Sequence, residues 1–206
     1  LVIGTGQLGA RIVECLVARG ENHVSAFDIV RPKRDLGKHV NFILGNVCDP
    51  DAVKAACRNI DVVYLTAALI RYYERLEFQA RPSHEVNVRG TQNVVDACIH
   101  CGVKVLIQTS SSNVVVPKGT TSITVSEESP YVTRTTSPNH YGWTKAAAEK
   151  IVLESSGKRV ANGSHNLRSA SCRPCSGIFG PRDGFILQKF LDDGKIDFIF
   201  PDPVID

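Results

Sequence analysis

The chain has 206 residues, 43% of them hydrophobic and 22% charged, with a formal net charge of +3. That is enough apolar material for one full-sized domain with its own core, and no basic run interleaved with aromatics marks a nucleic-acid surface. The longest apolar run, Val62 to Ile70, is too short to cross a bilayer and includes Thr66.

In chain order, Leu1-Val2-Ile3 is the stub of a first strand, followed by a glycine turn. A helix then runs to about Arg19, with Ile12/Leu16 and Val13/Val17 one turn apart and Gly20 as its stop. Strands are expected at 23–27 and 40–44, a short helix at 51–58, and a fourth strand at 61–69. The stretch 85–101 reads as a helix ending at Gly102, and 104–110 as the fifth strand. Pro138 suits the first turn of a helix that starts after Ser137 and stops near Gly157. A sixth strand is expected at 166–174, a last helix at 184–193 and a strand at 196–200. Alternating strands and helices, with Val/Ile-rich strands, predict an α/β doubly wound parallel sheet with helices on both faces. The one long loop, Pro117 to Asn139, would then lie beside the carboxyl edge of the sheet, where long loops are more often functional.

Seven cysteines, an odd number, suit a reducing compartment better than a disulfide framework, so a cytoplasmic protein is expected. Cys98/Cys101 and Cys172/Cys175 have Cys-x-x-Cys spacing. The first pair falls on an amphipathic helix and the second runs through Arg173-Pro174 at a strand end. Neither reads as a zinc knuckle, and no metal is expected. The chain contains no Met and opens inside an apolar run. It therefore reads as a fragment lacking its true N-terminus.

Two motifs carry chemistry. Gly4, Gly6 and Gly9 form G-x-G-x-x-G between the first strand and the first helix. They would serve the tight turn, close backbone approach to a pyrophosphate, and helix–strand packing. The helix N-terminus would then face the phosphates. Asp28, 19 residues past Gly9 at the end of the second strand, would accept hydrogen bonds from the adenosine ribose and repel a 2′-phosphate. NAD is thus expected over NADP, with Arg31, Lys33 and Arg34 close downstream as the counter-signal. The second motif is Tyr141, four residues before Lys145. Residues at that spacing share a helix face, so phenol and ammonium could act on one object, although spacing alone proves little.

The stretches "VIGTGQLG" (2–9), "DVVYLTAAL" (61–69), "VNVRGTQNVVDAC" (86–98), "VLIQTSSSNVV" (105–115), "SPNHYGWTKAAAEK" (137–150) and "GIFGPRD" (177–183) occur in the order of a known family. With them the chain resembles the extended short-chain dehydrogenase/reductases, and within these the 3β-hydroxysteroid dehydrogenase-like group. The last stretch looks most like sterol-4α-carboxylate 3-dehydrogenases; nucleotide-sugar epimerases commonly have Asn where Gly177 stands. Some positions depart from the pattern. Gly4 and Gly6 are two apart where the family usually has three, Asn46 replaces an Asp, and Leu65 replaces a frequent His.

The resemblance implies a single NAD-binding Rossmann domain over 1–206, with a substrate-binding part beginning near residue 175 and largely missing beyond Asp206. It assigns catalysis to Ser111, Tyr141 and Lys145. It places the cofactor against Gly4, Gly6, Gln7, Leu8 and Gly9 of the turn and against Asp28. Past the third and fourth strands it adds Asn46, Val47, Thr66, Ala67 and Ala68. Asn87 (with Thr91 shaping the site behind the cofactor), Thr109, Tyr141, Lys145 and Pro174 complete the set. The implied substrate is a 3β-hydroxy steroid or sterol, including a 4-carboxysterol whose oxidised β-keto acid loses CO2. Other activities of the group, nucleotide-sugar epimerisation or dihydroflavonol-type reduction, and a non-catalytic dinucleotide sensor are the alternatives. A homodimer is also implied, through helices around 85–101 and 138–156, with Val94, Val95, Ile151 and Val152 as apolar surplus for the mate. Association with the endoplasmic reticulum membrane would have to come from the part beyond Asp206.

The expected chemistry has a magnitude. Free tyrosine has a pKa near ~10, so a phenolate base at neutral pH needs a shift of ~3 units, or ~4 kcal/mol. An ammonium at ~4 Å supplies about that at an effective dielectric of ~20. Lys145 is therefore expected to lower Tyr141, with Ser111 hydrogen-bonding the substrate oxygen.

Overall fold

The computed structural model describes residues 1–32, 35–72, 76–121, 123–175 and 178. Its strands are β1 (Val2–Ile3), β2 (Ser25–Asp28), β3 (Asn41–Leu44), β4 (Val62–Leu65), β5 (Val105–Thr109) and β6 (Arg168–Cys172). They form one sheet in the order β3-β2-β1-β4-β5-β6, and every pairing is parallel. The chain builds outward from β1 to β3, then returns to lay β4 on the other side of β1. Order therefore reverses between β1 and β4, and doubly wound sheets bind ligands at the carboxyl ends of such a switch point. The Rossmann-type expectation is borne out.

Side chains alternate across the sheet and split the core in two. Val2 and Ala26 face α1 (Gln7–Ala18) and pack on Ala10 and Val13. Ile3, Phe27, Val63 and Leu65 face the other way. They pack on Val53 of α2 (Pro50–Ala56), Val94, Val95 and Cys98 of α4 (Gly90–Cys101), and Val152 of α5 (His140–Glu154). Each large side chain buried this way contributes roughly 1.5–3 kcal/mol.

Several expected boundaries move, for local reasons. β4 ends at Leu65 because its partner β1 ends at Ile3; beyond it the chain turns to give the Ala67 N–H back to the Ile3 carbonyl, 2.9 Å away. The helix expected from residue 85 begins earlier, as a 3₁₀ turn at Glu77–Gln79 and α3 (Ala80–His84). Pro82 does not prevent this, because it falls in the first turn of α3, where proline is tolerated. A π-helical turn at Glu85–Arg89 then joins α3 to α4, and α4 stops at Gly102, in the left-handed conformation at φ 78°. α5 starts two residues later than expected: Asn139, not Ser137, caps it, its side chain accepting the Gly142 N–H at 2.9 Å.

The four residues expected as surplus for a dimer have work inside the chain. Val94, Val95 and Val152 are fully buried in the core, and Ile151 packs against it. They give a homodimer no support. Among the described residues no helix is long and apolar enough to cross a membrane. The helix expected at 184–193 and the strand at 196–200 lie outside the described residues.

The tightest packing is at the first turn. A Cβ on Gly9 would run into the carbonyl oxygen of Gly4 and lie 2.6 Å from Thr66 Oγ1, which itself donates to that carbonyl at 2.7 Å. Gly9→Ala is therefore expected to cost about 1–3 kcal/mol, the usual penalty of overpacking. Gly6, whose Cβ would meet nothing within 4 Å, should accept Ala with a change of less than about 0.5 kcal/mol. Thermal unfolding of the two variants checks the contrast.

Candidate active site

The sequence-predicted residues gather along the carboxyl edge of the sheet, most of them within a few positions of a strand end and Asn87, Tyr141 and Lys145 on helical segments packed there. At β1, Gly4 has φ +94° and gives its N–H to the Phe27 carbonyl at 2.8 Å. A Cβ there would strike the backbone of Ala67, so only glycine fits the turn. Gly6 opens onto free space and stands as the N-cap of α1, which has no side-chain cap and no acidic residue in its first turn. A backbone that a ligand can approach, followed by the positive end of a helix, fits a diphosphate. Gln7, Leu8 and Gly9 form the first turn of that helix.

Asp28 closes β2 beside this turn. Its Oδ2 accepts from the Thr5 N–H at 2.5 Å and the Thr5 hydroxyl at 2.9 Å, and its Oδ1 from the Val30 N–H at 3.3 Å. The carboxylate thus fixes the glycine turn before it meets any ribose, a duty that sequence reasoning missed. Only the β1–β2 pairing brings Thr5 to it. Arg31 stacks on the Phe42 ring at 4.7 Å, while Lys33 and Arg34 lie outside the described residues.

The next strand ends build walls more than contacts. Asn46 is exposed, and its Oδ1 takes the Cys48 N–H at 2.9 Å in a local turn. Val47 is buried, and a Cβ on Gly90 would meet its side chain at 2.8 Å. Thr66 is spent on the Ile3 and Gly4 carbonyls, and Ala67 and Ala68 follow it along the edge. Asn87 is buried in the π-helical turn with its amide fully used. Oδ1 accepts from the Leu69 N–H at 2.8 Å; Nδ2 donates to the Leu69 carbonyl at 3.1 Å and to Thr144 Oγ1 at 3.0 Å. Thr91 gives its hydroxyl to the Asn87 carbonyl at 2.7 Å. Because Thr144 also bonds the His140 and Tyr141 carbonyls, Asn87 ties the β4 loop to the first turn of α5. Its side chain positions that helix.

Of the three serines at the end of β5, one faces the tyrosine. Ser110 is buried, and Ser112 Oγ donates to the Cys175 carbonyl at 3.1 Å. Ser111 caps the following 3₁₀ turn, accepting the Asn113 N–H at 3.2 Å, and its hydroxyl is the one of the three that acts on the Tyr141 phenol. Pro174 takes the Ser112 N–H on its carbonyl at 3.0 Å, closing the edge at β6.

Tyr141 and Lys145 lie on one stripe of α5, both buried. Lys145 is 3% exposed, and its Nζ donates to the Thr109 carbonyl at 2.7 Å. Burial pushes its pKa down to about 8, against the pull of Glu149 one turn further on. Tyr141 runs opposite to expectation. Burial, helped by the neighbouring Tyr72, pushes it up to about 12, and the Ser111 hydrogen bond is what draws it down. Lys145 was expected to do that, but its ammonium is committed to the strand carbonyl. Tyr72, unforeseen from sequence, meets the Tyr141 ring edge-on with centroids 5.2 Å apart.

Beneath the stripe is an ion pair the sequence did not announce. Glu149 accepts from Arg173 Nε and Nη2 at 2.8 and 2.7 Å and from the Tyr131 hydroxyl at 2.8 Å. Arg173 Nη1 donates to the Ser126 and Glu127 carbonyls, pinning the long 117–139 loop. The i, i+8 spacing of Tyr141 and Glu149 was visible; the partner from β6 was not.

The sequence pattern of the 3-beta hydroxysteroid dehydrogenase/isomerase family matches residues 1–198. The chain is 32% identical over 205 residues to short-chain dehydrogenase/reductase family 42E member 1 of Macaca fascicularis, covering 97% of this chain and 51% of that protein. It is 36% identical over 186 residues to 3 beta-hydroxysteroid dehydrogenase type 7 of Mus musculus, covering 86% and 49%. The chain thus spans about half the length of these curated relatives. Among solved structures, the UDP-glucose 4-epimerase of Thermus thermophilus in complex with NAD is 28% identical with a TM-score of 0.67, covering 84% of this chain and 53% of that one.

The double duty of Asp28 is testable without any ligand. Asp28→Ala leaves the Thr5 N–H, in a buried residue, without its acceptor and should cost about 1–3 kcal/mol. Asp28→Asn keeps an acceptor and should cost less than about 1 kcal/mol. Denaturant unfolding that finds the two variants alike would refute the clamp.

Proposed function

This chain belongs to the 3-beta hydroxysteroid dehydrogenase/isomerase family, and on that premise we propose that it serves an NAD-dependent oxidoreductase acting on a 3β-hydroxy steroid or sterol. The observation that carries the reading is that Tyr141 and Lys145 lie buried one turn apart on α5, with Lys145 Nζ on the last carbonyl of β5 and Ser111 beside the phenol. The name of the mouse relative supports the substrate class. The residues present fit a dinucleotide: the open Gly6 turn at the start of α1 for the diphosphate and Asp28 for the adenosine ribose. Lys145 of α5, whose Nζ reaches the last carbonyl of β5, suits the nicotinamide ribose. When bound, NAD supplies the hydride acceptor and a positive ring charge.

The chain's own residues handle the proton. Tyr141 exchanges it with the substrate oxygen, and Ser111 donates a hydrogen bond to that oxygen as it changes between hydroxyl and carbonyl. A phenol held near 12 is protonated at neutral pH, so it stands ready as a donor for carbonyl reduction. Alcohol oxidation, which needs the phenolate, should instead speed up as pH rises. We favour a 4-carboxysterol within the class: oxidising its 3-hydroxyl to a ketone gives a β-keto acid, which releases its carboxylate as CO2. Nucleotide-sugar epimerisation is the second reading, favoured by the likeness to the Thermus epimerase.

Incubation with NAD⁺ and either a 3β-hydroxy sterol or UDP-glucose separates the two; NADH should accumulate with the sterol alone. Tyr141→Phe should lower turnover by about 10²–10⁴ while NAD still binds. Lys145→Met should weaken NAD binding, because the ammonium suited to the nicotinamide ribose is lost, and should leave the pH profile of residual oxidation in place, because Lys145 is not what acts on the phenol. Ser111→Ala should lower turnover without moving the pH profile, since it does not titrate. Near-normal turnover in Tyr141→Phe would sink the acid–base assignment. The cofactor preference is separately exposed: Asp28→Arg should shift selectivity toward NADP, and an unsubstituted chain that already prefers NADP would contradict the reading.

A further inference from the structure

α5 carries a second buried charge for which the reaction has no stated use. Glu149 is 1% exposed and lies four residues beyond Lys145, on the stripe that begins with Tyr141. Its Oε1 gathers Tyr131, Arg173 Nε and Arg173 Nη2. Its Oε2 is buried and takes no close hydrogen bond among the described residues; the buried Ser110 hydroxyl, at the end of β5, is the group that acts on the carboxyl from that side. A carboxylate placed so deep is costly unless it is paired, and Arg173 supplies the pair. Lys145, meanwhile, has one neutral carbonyl for its ammonium.

Other charged groups packed around α5 are engaged elsewhere. Glu85 pairs with Arg89 at 3.2 Å on the surface, and Asp96 of α4 takes the Gln92 amide at 2.8 Å. His84 stands beside Trp143, with centroids 6.1 Å apart. Cys98 is a free cysteine buried in the core beside Cys57. Lys150 and Arg173 both lie over the Tyr131 ring, and Tyr72 lies against Tyr141. Glu149 is the carboxylate that acts on Lys145.

We propose that Glu149 is a positioning residue acting through Lys145: its carboxylate keeps the buried ammonium protonated, and the ion pair with Arg173 keeps that carboxylate charged. The inference rests on the role proposed above for Lys145. The electrostatics agree in direction. Burial drives the Lys145 ammonium toward losing its proton and Glu149 opposes this. Burial likewise works against the Glu149 carboxylate, yet the Arg173 hydrogen bonds hold it below its ordinary range. Arg173 is in turn fixed to the 117–139 loop through the Ser126 and Glu127 carbonyls, so the order of that loop bears on the charge of the site.

The test is a titration. In chain labelled with [13C]lysine, the Lys145 Cε signal, identified by its loss in Lys145→Met, is followed against pH. Glu149→Gln keeps the shape and removes the charge, so Lys145 should titrate at least about half a pH unit lower, roughly a threefold loss of proton affinity. An unmoved titration overturns the proposal. Because coupling between two sites is reciprocal, Lys145→Met should raise the Glu149 carboxyl pKa by a matching amount. That second route holds if the Gln variant does not fold, and an unmoved Glu149 overturns the proposal as surely. In carbonyl-reduction assays, where the protonated phenol is the donor, the alkaline fall in activity as Lys145 loses its proton should move to lower pH in Glu149→Gln. Reciprocal titration shifts in a chain that turns over no sterol would support this coupling and defeat the sterol reading. Sterol turnover with no shift in either titration would do the reverse.

Discussion

An ammonium almost wholly buried dictates the form of the site. Lys145 needs an acceptor in a medium where charge–charge terms are several times stronger than in solvent. The sheet order supplies it: β5 lies next to β4, and its last carbonyl, on Thr109, ends beneath the middle of α5. The same helix then presents Tyr141 above and Glu149 below on one stripe. A helix with a polar stripe facing inward gains little from its own amphipathic pattern, and buried residues occur on it from His140 to Val152. Its stability comes from neighbours instead. Asn87 grips its first turn through Thr144, and Arg173 grips its third turn through Glu149.

The glycine turn solves a different problem with similar economy. Gly4, Gly9 and Thr66 leave no room between the ends of β1 and β4, so the crevice at the switch point has a rigid floor. Asp28 then holds Thr5 across from β2. If the ribose role proposed for Asp28 holds, cofactor preference and turn geometry share one carboxylate, and a substitution meant to alter the first will disturb the second.

Much of this was legible in the sequence because it depends on local period and spacing. The strand–helix alternation, the glycine spacing around Gly4, Gly6 and Gly9, and the interval between Tyr141 and Lys145 are properties of short segments. What escaped depends on pairs far apart in the chain. Nothing near Asn87 announces Thr144, 57 residues on, and nothing near Glu149 announces Arg173. The direction of the Tyr141 shift escaped for the same reason. The i, i+4 rule says that two side chains share a face, but the Thr109 carbonyl decides where the ammonium goes. Local rules also misplace Pro138, since a proline reads alike whether it opens a helix or precedes its cap.

The ion pair between Glu149 and Arg173 also orders events in time. A chain made from its N-terminus forms β1 to β5 and α5 from residues that leave the ribosome before residue 173. Through that interval Glu149 lacks the guanidinium that hydrogen-bonds it, and burying it is at its most costly. α5 can therefore seat its polar stripe fully only once β6 has paired with β5, which brings Arg173 to the helix and the 117–139 loop to Arg173. Closure of the site is thus tied to arrival of the last described strand, and a nascent chain halted before it would expose a helix whose inner face is charged.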